Sequence, residues 1–318
     1  MSSAAAHQGS RRPFGSRLAD AMDDHGPLCV GIDPHPNLLE AWGLADSAAG
    51  LREFALRTID AVGGHVAAVK PQSAFFERHG SAGIAVLEET LAALRDVGTL
   101  SVLDVKRGDI GSTMAGYAQA YLSDDTPLAA DSITVSPYLG YGSLTPALNL
   151  AEANGSGVFV LALTSNPEGA GVQHAVNEDQ AVAAGIVEGV TASNAQASGE
   201  GRLGSIGLVI GATVGGAVSD LGIDLQRANG PLLAPGVAGV GVTYDFAHRA
   251  EHVGLGRGGR ADAGPRSPRS GRTPCPGRPG WRPSPGATRP PAGAAARGRR
   301  PRRSGPCPAR PPGGRPAR

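Results

Sequence analysis

Leu103-Asp104-Val105-Lys106-Arg107-Gly108-Asp109-Ile110-Gly111-Ser112-Thr113 is the stretch from which the fold of this chain is read. An apolar run from Leu100 to Leu103 leads into it, and from Thr113 onward the sequence reads as the start of a helix. A buried strand therefore closes on Asp104 and Lys106, with Asp109 in the turn that follows. Side chains alternate along a strand, so Asp104 and Lys106 project to the same side. Asp109 can come back toward the same pocket or cross into a neighbour's. A lysine flanked by two carboxylates is held protonated, because nearby negative charge favours the cation. Such a lysine is a poor nucleophile and a well-placed proton donor. A charged surface loop is the plainer reading. The position at the end of a buried strand favours chemistry, since α/β barrels place their active sites there.

The same alternation of short apolar runs and helical spacing extends on both sides. Strands are predicted at 28–33, 66–70, 100–106, 132–137, 157–164, 206–213 and 232–237. Helices are predicted at 14–22, 49–62, 83–97, 114–122, 143–153, 180–195 and 214–225. Within 83–97, Val86, Leu87, Leu91 and Leu94 fall at helical spacing. Strands alternating with helices imply a parallel sheet. Seven such units predict an α/β fold, a (β/α)8 TIM-type barrel, with the eighth strand-helix unit missing. Asp33, Lys70, Asp104, Lys106 and Ser165 all fall at strand C-termini, the catalytic face of such a barrel.

Length and charge set the remaining bounds. The 318 residues carry a formal net charge of +1, which conceals an asymmetry. Residues 254–318 hold 16 arginines, no lysine and one acidic residue, Asp262. The first 253 residues hold 13 basic against 27 acidic side chains, a net of −14. Nothing in that acidic part suggests nucleic-acid binding. The three cysteines, Cys29, Cys275 and Cys307, form no disulfide framework and fit a reducing cytosol, so a cytoplasmic location is expected. The longest apolar run, 158–163, is far too short to span a membrane, and the N-terminus has no signal-peptide pattern. His35 reads as a loop residue rather than a metal ligand, since no second histidine stands at metal-ligand spacing from it. The domain reading is a disordered N-terminus at 1–13, a barrel at 14–253 that is incomplete after about 237, and a disordered Arg/Pro/Gly-rich tail at 254–318.

Several further motifs carry a resemblance. Gly31-Ile32-Asp33-Pro34-His35-Pro36, Val69-Lys70-Pro71-Gln72 with Phe75-Phe76-Glu77, the Asp104 to Thr113 segment, Ser136-Pro137-Tyr138-Leu139-Gly140 and Thr164-Ser165-Asn166-Pro167-Glu168-Gly169 occur in that order. Together they resemble the orotidine 5′-phosphate decarboxylase family, most of all its longer bacterial, mycobacterial-like (type 2) branch, over roughly residues 14–237. The resemblance implies a homodimeric barrel with shared active sites, which converts orotidine 5′-phosphate to UMP and CO2 in pyrimidine biosynthesis without metal or organic cofactor. It implies that Lys106 donates the proton to C6 and that Asp104 sits beside the departing carboxylate and orients Lys106. It places Lys70 in the charge network, Asp33 on a ribose hydroxyl, Ser165 on the pyrimidine, and Asp109 and Thr113 in the partner subunit's site.

The match breaks at the C-terminal end. After Pro-Gly-Val the family has a Gly-rich loop containing a Gln, then a later strand ending on an Arg. Here the loop reads Pro235-Gly236-Val237-Ala238-Gly239-Val240-Gly241, with no Gln, and no later strand pattern presents the Arg. Gly236, Gly239 and Gly241 are left as candidate backbone donors to a phosphate. Loss of the eighth unit predicts two open sheet edges and a weakened, poorly active or inactive protein. The tail's Arg, Pro, Gly and Ala all have GC-rich codons, which points to a shifted reading frame. That reading requires a strand-plus-helix sequence in another frame after Val237. Two other readings stand beside the decarboxylase. One is a non-catalytic nucleotide-binding remnant with a basic tail that binds nucleic acid. The other is a related phosphosugar decarboxylase, disfavoured by the Ser-Asn-Pro-Glu-Gly and Asp-Pro-His-Pro segments.

Overall fold

The computed structural model describes residues 11–235 and the strand Thr243–Ala247. Ten strands are present among them. They are β1 (Leu28–Ile32), β2 (Ala68–Pro71), β3 (Leu100–Arg107), β4 (Ser132–Val135), β5 (Gly157–Leu163), β6 (Val176–Asn177), β7 (Gln180–Ala181), β8 (Ile206–Ile210), β9 (Leu232–Pro235) and β10 (Thr243–Ala247). β6 and β7 make a small separate hairpin; the other eight close a barrel in the order β1-β10-β9-β8-β5-β4-β3-β2. The seven strands expected from the sequence all appear, and all their mutual pairings are parallel. β5 shows why they read as continuous apolar runs. Six of its seven residues are buried, because helices cover a parallel sheet outside while side chains fill it inside.

No eighth parallel strand follows β9 among the described residues. Its place is taken by β10, which pairs antiparallel with both neighbours, Ala247 opposite Leu232 on β9 and Leu28 opposite Asp245 on β1. The two open edges expected from the sequence are therefore closed by backbone hydrogen bonds. A short antiparallel strand can do this because the edge groups of β1 and β9 need a ladder partner of either direction.

The helix α1 (Phe14–His25) lies across the N-terminal end of the barrel. Phe14 and Leu18 are fully buried in a cluster with Cys29, Val102, Phe159, Val209 and Leu233. The Phe14 and Phe159 rings meet edge to face, with centroids 6.0 Å apart. Gly157 leaves the room for this: a Cβ there would stand 2.2 Å from the Phe14 ring. Polar contacts hold the helix in place. Arg17 donates to Asp131 at 2.5 Å and to the Gly155 carbonyl at 3.0 Å. The same carboxylate accepts from Arg11 at 2.6 Å and from the Ser101 N–H at 2.9 Å. The sequence reading puts residues 11–13 in a disordered N-terminus, whereas Arg11 is built into this clamp. The expected disorder of the remaining N-terminus and of the 254–318 tail, like Gly236, Gly239 and Gly241, lies outside the described residues.

Candidate active site

The opposite, C-terminal end of the barrel gathers charge from consecutive strands. The segment after β1 brings Asp33, β2 brings Lys70, β3 brings Asp104 and Lys106, and β4 brings Thr134. Lys70 has no exposed surface, and its Nζ lies 2.9 Å from Asp104 Oδ2, 2.9 Å from Gln72 Oε1 and 3.9 Å from Asp33 Oδ1. Lys106 Nζ lies 2.5 Å from the other oxygen, Asp104 Oδ1. The Thr134 hydroxyl also donates to Oδ1, at 2.7 Å. The result is an alternating row, lysine–carboxylate–lysine, with Asp33 flanking the buried end.

Burial opposes a charge on Asp104 and would raise its pKa, but Lys70, Lys106 and the hydrogen bonds outweigh it, so the carboxyl is held below its ordinary value. Asp33 goes the other way. Burial pushes its carboxyl up, and Lys70 offsets this only in part. Asp33 Oδ2 is buried and has no hydrogen-bond partner among the described residues. Two carboxylates near one lysine thus differ because Asp104 has a second lysine and hydrogen-bond donors to offset burial, whereas Asp33 is buried and also faces Asp104 as a like charge.

Period-2 alternation alone does not explain where Lys106 points. The β3–β4 register shifts between Leu103 and Arg107, and Lys106 has φ 46°, in the left-handed region. That conformation costs a non-glycine residue roughly 1–2 kcal/mol. It turns the lysine back over Asp104, with 45% of its side chain exposed to the cavity mouth. Next to it Arg107 is tied to Glu77 at 2.5 Å, and Ser73 donates to the same Glu77 oxygen at 2.7 Å. The Phe-Phe-Glu segment is therefore a brace for the end of β3. Gly108 makes the turn possible, since a Cβ there would stand 2.4 Å from the Ser136 carbonyl oxygen.

A cavity of about 200 Å3 opens over this row, lined by Asp104, Lys106, Thr134, Gln72, Ser165 and apolar residues of β5, β8 and β9. Ser165 stands exposed on its rim. The loop carrying it is fastened by Gln173, which accepts from the Thr164 N–H at 2.9 Å and donates to the Thr164 hydroxyl at 2.7 Å. A larger recess of about 500 Å3 elsewhere, bordered by Tyr141, Glu152 and Arg202, holds no comparable array of charge. Asp109 and Thr113 are not drawn into the row. Asp109 Oδ1 accepts from the Ile110 N–H at 2.8 Å, and Thr113 is exposed. Gln72 and Thr134 belong to the site but were not singled out from the sequence. Gln72 sits two residues past Lys70, within the Val69-Lys70-Pro71-Gln72 motif. Thr134 gave no signal, because a threonine in a strand is ordinary β composition.

The model of the orotidine 5′-phosphate decarboxylase / HUMPS family matches residues 26–257. The chain belongs to the orotidine 5′-phosphate decarboxylase family. A protein of that name from Streptomyces coelicolor is 58% identical over 233 residues, 73% of this chain and 81% of its own length. One from Salinispora tropica is 56% identical over 231 residues, 72% of this chain and 81% of its own. A Streptomyces avermitilis crystal structure assigned to the same enzyme has a TM-score of 0.69 at 60% identity, over 72% of this chain and 78% of that one. A structure of Leishmania donovani OMP decarboxylase aligns with a TM-score of 0.57 at 32% identity, over 71% and 80% of the two chains. The matched range contains the Asp104-Val105-Lys106-Arg107-Gly108-Asp109 segment. No described helix is long and apolar enough to cross a membrane.

Proposed function

We propose that this chain decarboxylates orotidine 5′-phosphate to UMP, with Lys106 as the proton donor and no cofactor. The observation that carries the reading is the Lys70–Asp104–Lys106 row beneath a cavity of about 200 Å3. Loss of CO2 breaks the bond from C6 to the carboxylate carbon and leaves the electron pair on C6. A positive charge must already stand where that pair develops, because a charge fixed in advance needs no reorganisation in the transition state. Lys106 supplies it and then delivers a proton from Nζ to C6, leaving a neutral amine that solvent reprotonates. Asp104 holds the ammonium in place and faces the departing carboxylate. Lys70, fully buried, keeps Asp104 ionised. The unengaged Oδ2 of Asp33 is an acceptor suited to a ribose hydroxyl, and Ser165 on the rim suits the pyrimidine.

Asp109 and Thr113 act in the site of a second copy, in a homodimer. Support comes from their position outside their own cavity and from the apolar surface around them. Ile110 is 62% exposed, Tyr138 79% and Leu139 52%, which is characteristic of a surface another chain covers. The barrel at 14–253 carries the activity in this reading, the 254–318 tail takes no part, and the reaction runs in the cytoplasm. The phosphate is left to the backbone of Gly236, Gly239 and Gly241, without the Gln and Arg that the family's pattern supplies. Remote phosphate binding contributes to the chemical step, so turnover is slower than in a chain carrying both. The test is loss of orotidine 5′-phosphate absorbance with the full chain beside Lys106→Ala, with and without chelator. Chelator-insensitive turnover that vanishes in the variant is expected. Turnover unchanged in Lys106→Ala removes the proposed mechanism.

A further inference from the structure

Thr134 touches both reacting residues. We infer that it is a positioning residue, whose hydroxyl locks the Asp104 carboxylate and the left-handed backbone of Lys106 into one geometry, a role that rests on the decarboxylation proposed above. Thr134 is buried on β4. Its Oγ1 accepts from the Lys106 backbone N–H at 3.0 Å and donates to Asp104 Oδ1 at 2.7 Å. The direction of the hydroxyl proton follows from the partners. An N–H can only donate, so the single hydroxyl proton goes to the carboxylate.

The backbone explains why a hydroxyl is needed there. Val102 and Leu103 pair in register with Ser132 and Ile133, and pairing resumes only at Arg107 with Val135. Four steps along β3 thus answer two along β4, and the N–H of Lys106 leaves the regular ladder. A buried N–H without an acceptor is costly, and Thr134 provides the acceptor from its side chain. The same bond holds Lys106 at φ 46°, the conformation that returns Nζ to 2.5 Å from Asp104 Oδ1. With Lys70 on Oδ2, both carboxylate oxygens are engaged and the group is fixed against rotation. Ser132, two residues earlier on the same strand, shows the ordinary alternative, donating to the backbone carbonyl of Ser101 at 3.2 Å.

The test compares Thr134→Val, which keeps the shape and loses the hydroxyl, with Thr134→Ser, which keeps the hydroxyl, in the full chain. Hydrogen bonds to charged groups are worth about 1.5–3 kcal/mol, so kcat of Thr134→Val is expected to fall about 10- to 150-fold, with KM for orotidine 5′-phosphate changed less than about twofold. The groups facing Asp104 are Lys70, Lys106 and Asp33. Without the hydroxyl the ionised carboxylate loses a donor, so the acid limb of kcat/KM moves to higher pH. Thr134→Ser restores both. Amide hydrogen exchange reads the same contact without turnover: a peptide spanning 105–109 exchanges faster in Thr134→Val and not in Thr134→Ser. Wild-type kcat and exchange in Thr134→Val overturn the inference. So does a rise in KM alone, which marks a substrate contact, and so does a serine variant as impaired as valine, which marks packing. If the unaltered chain shows no turnover, the decarboxylase reading falls and hydrogen exchange alone decides the positioning role.

Discussion

Replacing Asp104 with asparagine keeps the size of the side chain and removes the charge between two lysines. Lys70 stays fully buried, and among the described residues Asp33 at 3.9 Å is the carboxylate left near it. Removing one partner of a buried ion pair costs about 3–5 kcal/mol, because it strands the other charge. Asp33 compensates in part, so the loss belongs at the lower end, about 3 kcal/mol. For a domain of this size that is a melting temperature lower by roughly 6–12 °C. Charge also sets a pH signature. The folded Asp104 carboxyl is held below its ordinary value, so its contribution is present above the unfolded pKa of about 3.9 and is lost as pH falls through the folded value. The gap between wild type and Asp104→Asn should be full at pH 7 and shrink below about pH 4. Urea denaturation of both proteins between pH 3 and 8 measures it. A gap of equal size at pH 3 and pH 7 would refute the electrostatic account and leave a steric one.

Asp33→Asn should behave in the opposite sense. The folded carboxyl of Asp33 is raised by burial, so its favourable contribution exists only at low pH and disappears as pH rises through the folded value. The neutral amide therefore stabilises the fold at pH 7 by about 0.5–2 kcal/mol, and the gain fades in acid, while turnover falls. A lower melting temperature at pH 7 would contradict this. Gly157→Ala puts a methyl group 2.2 Å from the buried Phe14 ring. Overpacking of that kind costs about 1–3 kcal/mol. Thermal melting should show the loss with UMP affinity unchanged, since the contact is at the far end of the barrel; an unshifted melting curve would mean that α1 is not seated there.

Much of this architecture was legible in the sequence because it rests on periodicity. Parallel strands buried on both faces read as unbroken apolar runs, and all seven were placed to within a few residues. Asp33, Lys70, Asp104 and Lys106 were legible because charged groups closing apolar strands are conspicuous. What escaped depends on contacts between segments distant in sequence. The acceptor role of Gln72 and the double role of Thr134 exist only once β2, β3 and β4 lie side by side. The left-handed turn at Lys106 is set by a register shift that no local pattern announces. The antiparallel β10 follows from two edges seeking a partner: Thr243, Tyr244 and Phe246 suit a strand, but nothing local announces its antiparallel direction.

The seating of α1 has a consequence for biogenesis. Phe14 and Leu18 are made long before Phe159, Val209 and Leu233, the residues against which they bury. Until then the nascent chain carries an apolar stripe without its cover, and contacts of such long sequence separation form slowly. Translation speed and chaperone access therefore bear on the yield of this barrel through α1, well before any catalytic residue matters.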